Sequence, residues 1–257
     1  MRAESLKSFD RLLTIMDDLR EKCPWDKEQT IHTLRKLTIE ETYELVDAID
    51  SGDWTELKGE LGDLFLHMVF YSKIASENKE FDITDVLNDI CEKLIHRHPH
   101  IYADVEANDS KKVKENWEAI KLKENGEKQK SVLEGVPQSL PALVKAFRLQ
   151  EKVQGVGFDW PDSESVWGKV EEEIVEFRNP KSRDNELMEL GDLLFSLVNY
   201  AKHRGLDPEQ ALALSNAKFI NRFQKMEQIL VQQKKSPIGI NIKDWNELWD
   251  EAKKEYP

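Results

Sequence analysis

An all-α fold built from two tandem helical domains is what this sequence predicts, and three observations predict it. Apolar residues recur at three- and four-residue steps, no stretch sustains the alternation of a strand, and the chain repeats itself in order. In the first half, Leu34, Leu37, Leu45, Val46 and Ile49 mark one helical face, and Ser51-Gly52-Asp53 supplies a stop and a new start. A second helix is predicted from Trp54 to Ser76. In the second half, Glu186 to Arg204 reads as its counterpart, ended by Gly205.

Four blocks carry the repeat. Glu40-Glu41-Thr42-Tyr43-Glu44 returns as Glu172-Glu173-Ile174-Val175-Glu176, and Glu60-Leu61-Gly62-Asp63-Leu64 returns as Glu189-Leu190-Gly191-Asp192-Leu193. Lys93-Leu94-Ile95-His96-Arg97 matches Lys218-Phe219-Ile220-Asn221-Arg222, and Trp117-Glu118-Ala119-Ile120-Lys121 matches Trp249-Asp250-Glu251-Ala252-Lys253. The polar stretch between the copies carries Gly126, Gly135 and Pro137 and reads as a linker. The expected division is therefore a first domain over residues 1–125, a linker over 126–138 and a second domain over 139–257. Gly62 and Gly191 each cost a helix about 0.8 to 1 kcal/mol against alanine, which points to close helix approach at both.

Composition narrows the function. Fifty carboxylates against 37 basic residues give a net charge of -13, which disfavours nucleic-acid polymers and anionic membranes as partners. Cys23 and Cys91 are too few for a disulfide framework. No segment reaches the roughly 18 apolar residues of a membrane span, and the N-terminal residues lack a signal peptide's apolar run. A cytoplasmic protein is the expectation.

Residues three apart share a helical face, so Glu41 with Glu44 and Glu60 with Asp63 each project together, as do Glu173 with Glu176 and Glu189 with Asp192. Two helices packed antiparallel would gather four such carboxylates. Two unit charges at 4 Å repel by about 4 kcal/mol at an effective dielectric of 20, so a fold that gathers acids needs a counter-charge. An all-carboxylate set suits a hard divalent cation, Mg²⁺ or Mn²⁺, whose remaining positions take water and phosphate oxygens. A Glu-rich helix face is otherwise simply solvated, but here the acids sit within apolar runs and recur in both copies.

Glu-Glu-x-x-Glu followed by Glu-x-x-Asp, with Cys23-Pro24-Trp25-Asp26 and Arg97-His98-Pro99-His100, resembles the MazG branch of the all-α nucleoside triphosphate pyrophosphohydrolases. The resemblance covers nearly the whole chain outside the linker. It implies homodimers whose cores are of four-helix-bundle type, Mg²⁺ dependence, and hydrolysis of varied NTPs and dNTPs to the monophosphate and pyrophosphate. It assigns metal coordination to Glu173, Glu176, Glu189 and Asp192, and it leans toward the second copy as the catalytic one. Glu172 is then the candidate for orienting or deprotonating water, with a merely solvated role as its alternative.

Lys218 and Arg222 are candidate phosphate contacts, or else a basic surface pair. Lys169 is a third, against the alternative of an intrahelical ion pair with Glu173. Trp160 and Trp249 are candidate base or ribose contacts, or else core aromatics. In the first copy, Glu40, Glu41, Glu44, Glu60, Asp63, Lys93 and Arg97 offer a possible second metal site. The position matching Lys169 is Leu37, so the first copy is expected mainly to stabilise the dimer or bind weakly.

Three other functions compete with this reading. A di-iron carboxylate bundle needs Glu-x-x-His on two helices, whereas His67 has Ser196 as its counterpart. A non-catalytic, metal-binding interaction or regulatory protein would use the repeats as surfaces. A pyrophosphohydrolase specific for one nucleotide, such as phosphoribosyl-ATP, is the nearest neighbour.

Overall fold

The structure, a computed structural model, describes residues 1–103 and 131–256 together with Asp109, Val113, Trp117 and Ile120. Among these residues the secondary structure is helical, with eleven helices and no strand. The chain divides into two compact units, Met1–Val113 and Lys114–Pro257.

The first unit contains α1 (Arg2–Lys22), α2 (Pro24–Glu28), α3 (Ile31–Ser51), α4 (Trp54–Glu77), α5 (Ile83–Arg97) and α6 (Pro99–Tyr102). α3 opens on a capping box between Thr30 and Thr33, and Gly52, at φ 72°, ends it in the left-handed region. Asp53 then caps α4 by accepting from the Thr55 and Glu56 amides. With two residues between them, α3 and α4 fold back on each other, and a 2.7 Å hydrogen bond joins Thr38 to the Tyr71 hydroxyl. α1 packs on α4, and Met16, Leu34, Val69, Phe70 and Ile74 form the shared core.

The second unit contains α7 (Ala142–Gln154), α8 (Ser163–Arg178), α9 (Arg183–His203), α10 (Pro208–Gln232) and α11 (Ile242–Glu255). Asp162 and Ser182 cap α8 and α9, which pair as α3 and α4 do. Val166, Val170 and Val198 are buried in this unit, α7 packs on α9 and α10, and α11 closes over α10 around Met226, Ile229, Leu230, Leu248 and Ala252.

One expectation is corrected. Gly62 and Gly191 lie on exposed helical faces, and a Cβ at either would meet nothing within 4 Å, so neither marks a close approach within its unit. The helices instead meet through the apolar side chains on their other faces. Of the predicted linker, residues 126–130 lie outside the described residues, as do Glu118, Ala119 and Lys121 of the fourth repeat block; residues 131–138 form turns, where Lys152 donates to the Val132 and Glu134 carbonyls.

Candidate functional site

Each helical pair brings three carboxylates together. In the first unit, Glu41 from α3 meets Glu60 and Asp63 from α4, with one oxygen of each within 4.8 Å of the others. In the second, Glu173 and Glu176 from α8 meet Glu189 from α9 at the same spacing. Glu44 and Asp192 stand outside these groups of three, although Glu44 is near enough to raise both Glu41 and Glu60.

The two groups differ in how their charge is answered. Among the described residues no lysine or arginine pairs with Glu41, Glu60 or Asp63. Glu41 is raised above the ordinary glutamate range by burial and then by Asp63, Glu44, Glu60 and Glu40. Glu60 is raised by burial and by Glu44, Asp63 and Glu56, against a hydrogen bond with Glu41, and its Oε2 is buried without a partner. His67, one turn beyond Asp63, is buried, with Nδ1 unpartnered; burial lowers its pKa and Asp63 opposes the shift.

In the second group Lys169 Nζ lies 2.7 Å from Glu173 Oε1 and 3.0 Å from Glu172 Oε1, and these hydrogen bonds hold the ammonium well above the ordinary lysine range. Glu173 is 5% exposed, and its Oε2 is buried with no hydrogen-bond partner. Glu176 is raised by burial and by Glu189, Glu173 and Glu172, with Lys169 opposing. Asn185 Nδ2 donates to Glu189 Oε1 at 2.7 Å. Sequence reasoning missed Asn185; the signal was its place four residues before Glu189, where the first unit has Glu56 before Glu60.

A buried carboxylate oxygen lacking a partner forfeits its hydration without replacement, and three convergent carboxylates repel. An oxygen-seeking divalent cation answers both costs, so this donor set fits such an ion.

The other candidates lie elsewhere in the second unit. Lys218 is exposed on α10. Arg222 donates through Nε to the Tyr256 carbonyl at 2.8 Å, and its guanidinium lies 5.3 Å from the Trp249 ring centre. Trp249 is half-buried on α11 and packs against the α10–α11 core, whereas Trp160 is partly exposed in the loop before α8. None of the four is hydrogen-bonded or ion-paired to the acidic group among the described residues. In the first unit, Lys93 and Glu40 are exposed and Arg97 is half-buried at the end of α5.

The profile of the MazG nucleotide pyrophosphohydrolase domain matches residues 29–102, which span α3, α4 and their acidic group. The nucleoside triphosphate pyrophosphohydrolase of Escherichia coli (strain K12) is 42% identical over 259 residues, covering 97% of this chain and 98% of that one. The chain belongs to the MazG family. A second relative, the nucleoside triphosphate pyrophosphohydrolase/pyrophosphatase MazG of Thermotoga maritima, is 41% identical over 247 residues, 95% of each chain. A solved MazG-related protein from Thermotoga maritima aligns with 44% of this chain and 98% of its own, at 26% identity and a TM-score of 0.40. The Escherichia coli and Thermotoga maritima pyrophosphohydrolases align with nearly the whole of this chain, so the similarity takes in the residues of the second acidic group as well as the first.

Proposed function

We propose that this chain hydrolyses nucleoside triphosphates between the α and β phosphates, releasing a nucleoside monophosphate and pyrophosphate, with the second unit as the catalytic one. The observation that carries the reading is the buried, half-satisfied Glu173 between Glu176 and Glu189, in a chain so similar along its length to named nucleoside triphosphate pyrophosphohydrolases. Mg²⁺, with Mn²⁺ as a substitute, is the proposed metal, held by Glu173, Glu176 and Glu189, with Asp192 one turn beyond Glu189. When bound it supplies charge neutralisation for the phosphates and acidifies coordinated water.

The chain's own residues do the rest. Glu172, on the same turn as Glu173, orients water and accepts its proton as the water oxygen bonds to the α phosphorus; the bond to the bridging oxygen breaks and pyrophosphate leaves with the electron pair. Asn185 fixes the Glu189 carboxylate. Lys169 and Lys218 bind phosphate oxygens, and Arg222, with N–H donors beyond the one given to Tyr256, adds to them. Trp160 and Trp249 offer ring faces to a base, which suits broad base specificity because every base has a π face.

The working form is proposed to be a cytoplasmic homodimer that binds neither nucleic-acid polymers nor membranes. No helix among the described residues is long and apolar enough to cross a membrane. The dimer reading rests on apolar faces left uncovered in each unit, on α5 at Val86, Leu87 and Ile90 and on α10 at Leu212, Phe219 and Ile220. Pairing of such faces between copies would complete cores of four-helix-bundle type. Pyrophosphate release from a panel of NTPs and dNTPs, with phosphoribosyl-ATP included, tests the substrate class: turnover across bases supports the reading, and turnover of phosphoribosyl-ATP alone replaces it.

A further inference from the structure

The two acidic groups share a backbone plan but not a charge plan. At the position four residues before the buried glutamate, the second unit has Lys169 and the first has Leu37, which packs against the first unit's core. Lys169 therefore occupies Oε1 of Glu173 and one oxygen of Glu172, beside the unpartnered Glu173 Oε2 that a metal would take, while the first group has no cation of its own among the described residues.

We propose that Lys169 is a displaceable counter-ion that couples metal binding to triphosphate binding at the second site. A divalent ion on the free Glu173 Oε2 lies close to the ammonium on Oε1, and the repulsion between two cations on one carboxylate weakens metal binding while the lysine stays. The ion therefore favours release of the lysine, whose half-exposed, four-carbon side chain swings without moving α8. The released ammonium needs a new anion, and the phosphate chain of a metal-bound nucleotide supplies one at the same helical turn. Metal without nucleotide thus binds at the cost of an ion pair, whereas metal with nucleotide replaces that pair by another. By linkage the two ligands strengthen each other's binding equally. The first site, with no lysine to displace, takes metal without such coupling.

This inference rests on the metal-dependent reading above, and its test separates the two. In the full chain, with Glu41→Gln and Glu60→Gln removing the first site, Mn²⁺ binding is titrated by electron paramagnetic resonance. Binding of an α,β-methylene nucleoside triphosphate is then measured by calorimetry. The expected result is opposite movement: Lys169→Met tightens Mn²⁺ alone by about fivefold or more and weakens the analogue by a similar factor. Lys169→Arg, which keeps a cation there, leaves the affinity for Mn²⁺ alone near that of the parent, and far-ultraviolet circular dichroism checks that each variant is folded. Equal Mn²⁺ affinity in the parent and Lys169→Met, or weaker affinity in the variant, overturns the counter-ion. Absence of Mn²⁺ binding in both removes the metal reading and the proposal with it.

Discussion

At the scale of single residues, the two acidic groups show how one exchanged side chain changes a site. Asn185 donates to Glu189 where Glu56 repels Glu60, so the second group meets this carboxylate with an amide donor and the first meets it with a like charge. Asn185→Ala is expected to weaken divalent-metal affinity at the second site by about tenfold, as loss of a partner behind a ligand does, with the fold unchanged; Mn²⁺ titration reads it. Glu41 and Glu60 are both raised from 4.5, so between that value and their folded values the native state binds more protons than the unfolded chain. Their contribution to stability therefore falls as pH rises through that interval. Replacing both by glutamine should reduce the fall in melting temperature seen in EDTA from acid to neutral pH, and divalent metal should do the same for the native chain. A pH dependence unmoved by either treatment would show that the two groups do not titrate as a strained pair.

At the scale of elements, the C-terminal end of α9 is fastened by charge. Asp159 accepts from Lys202 at 2.8 Å and from His203 at 3.0 Å, and the Asp159 and Lys202 side chains are 10% and 6% exposed. Burial pushes the Asp159 carboxyl up, but the hydrogen bonds from Lys202 and His203 outweigh it, and the net shift is downward. The stability this group contributes is present above its unfolded pKa and lost as pH falls through the folded one. Lys202→Ala leaves a buried carboxylate with one partner fewer and is expected to cost about 3 kcal/mol in denaturant unfolding. A loss below about 0.5 kcal/mol would mean that water already serves the carboxylate.

Much of this level was legible beforehand, because caps and stops are local chemistry. The break at Ser51-Gly52-Asp53 and the end before Gly205 are where the left-handed glycines stand. The starts were read late: α3 begins at Ile31 and α9 at Arg183, because Thr30 and Ser182 cap them a turn before the first apolar residue of the pattern. Gly62 and Gly191 misled because sequence gives a glycine's cost but not the face it occupies. The pairing of acids across two helices was legible as i, i+3 spacing. Which three of four converge was not, since that depends on the rotation of each helix about its axis. The choice between ion pair and phosphate contact at Lys169 also lay beyond spacing alone, which allows both.

At the scale of the whole molecule, two units with small cores leave large apolar side chains uncovered, and α5 has no buried residue at all although its apolar side chains share a face. Such a face needs a partner to hold it in water. Ile90→Glu with Leu94→Glu is expected to shift the protein from dimer to monomer in sedimentation equilibrium, whereas a native chain already monomeric at micromolar concentration would remove the dimer from the account. The uneven charge plan of the units bears on function at this scale too: two acidic groups of one sequence pattern sit in one chain, and the one with its own lysine and amide is assigned the chemistry.

That assignment is tested most directly by pyrophosphate release from nucleoside triphosphates, with Mg²⁺ or EDTA, in the native chain, in Glu41→Gln with Glu44→Gln, and in Glu173→Gln with Glu176→Gln. The account predicts Mg²⁺-dependent formation of monophosphate and pyrophosphate that survives the first pair of substitutions and is abolished by the second. Equal loss from both pairs, or turnover that persists without Glu173 and Glu176, would contradict it.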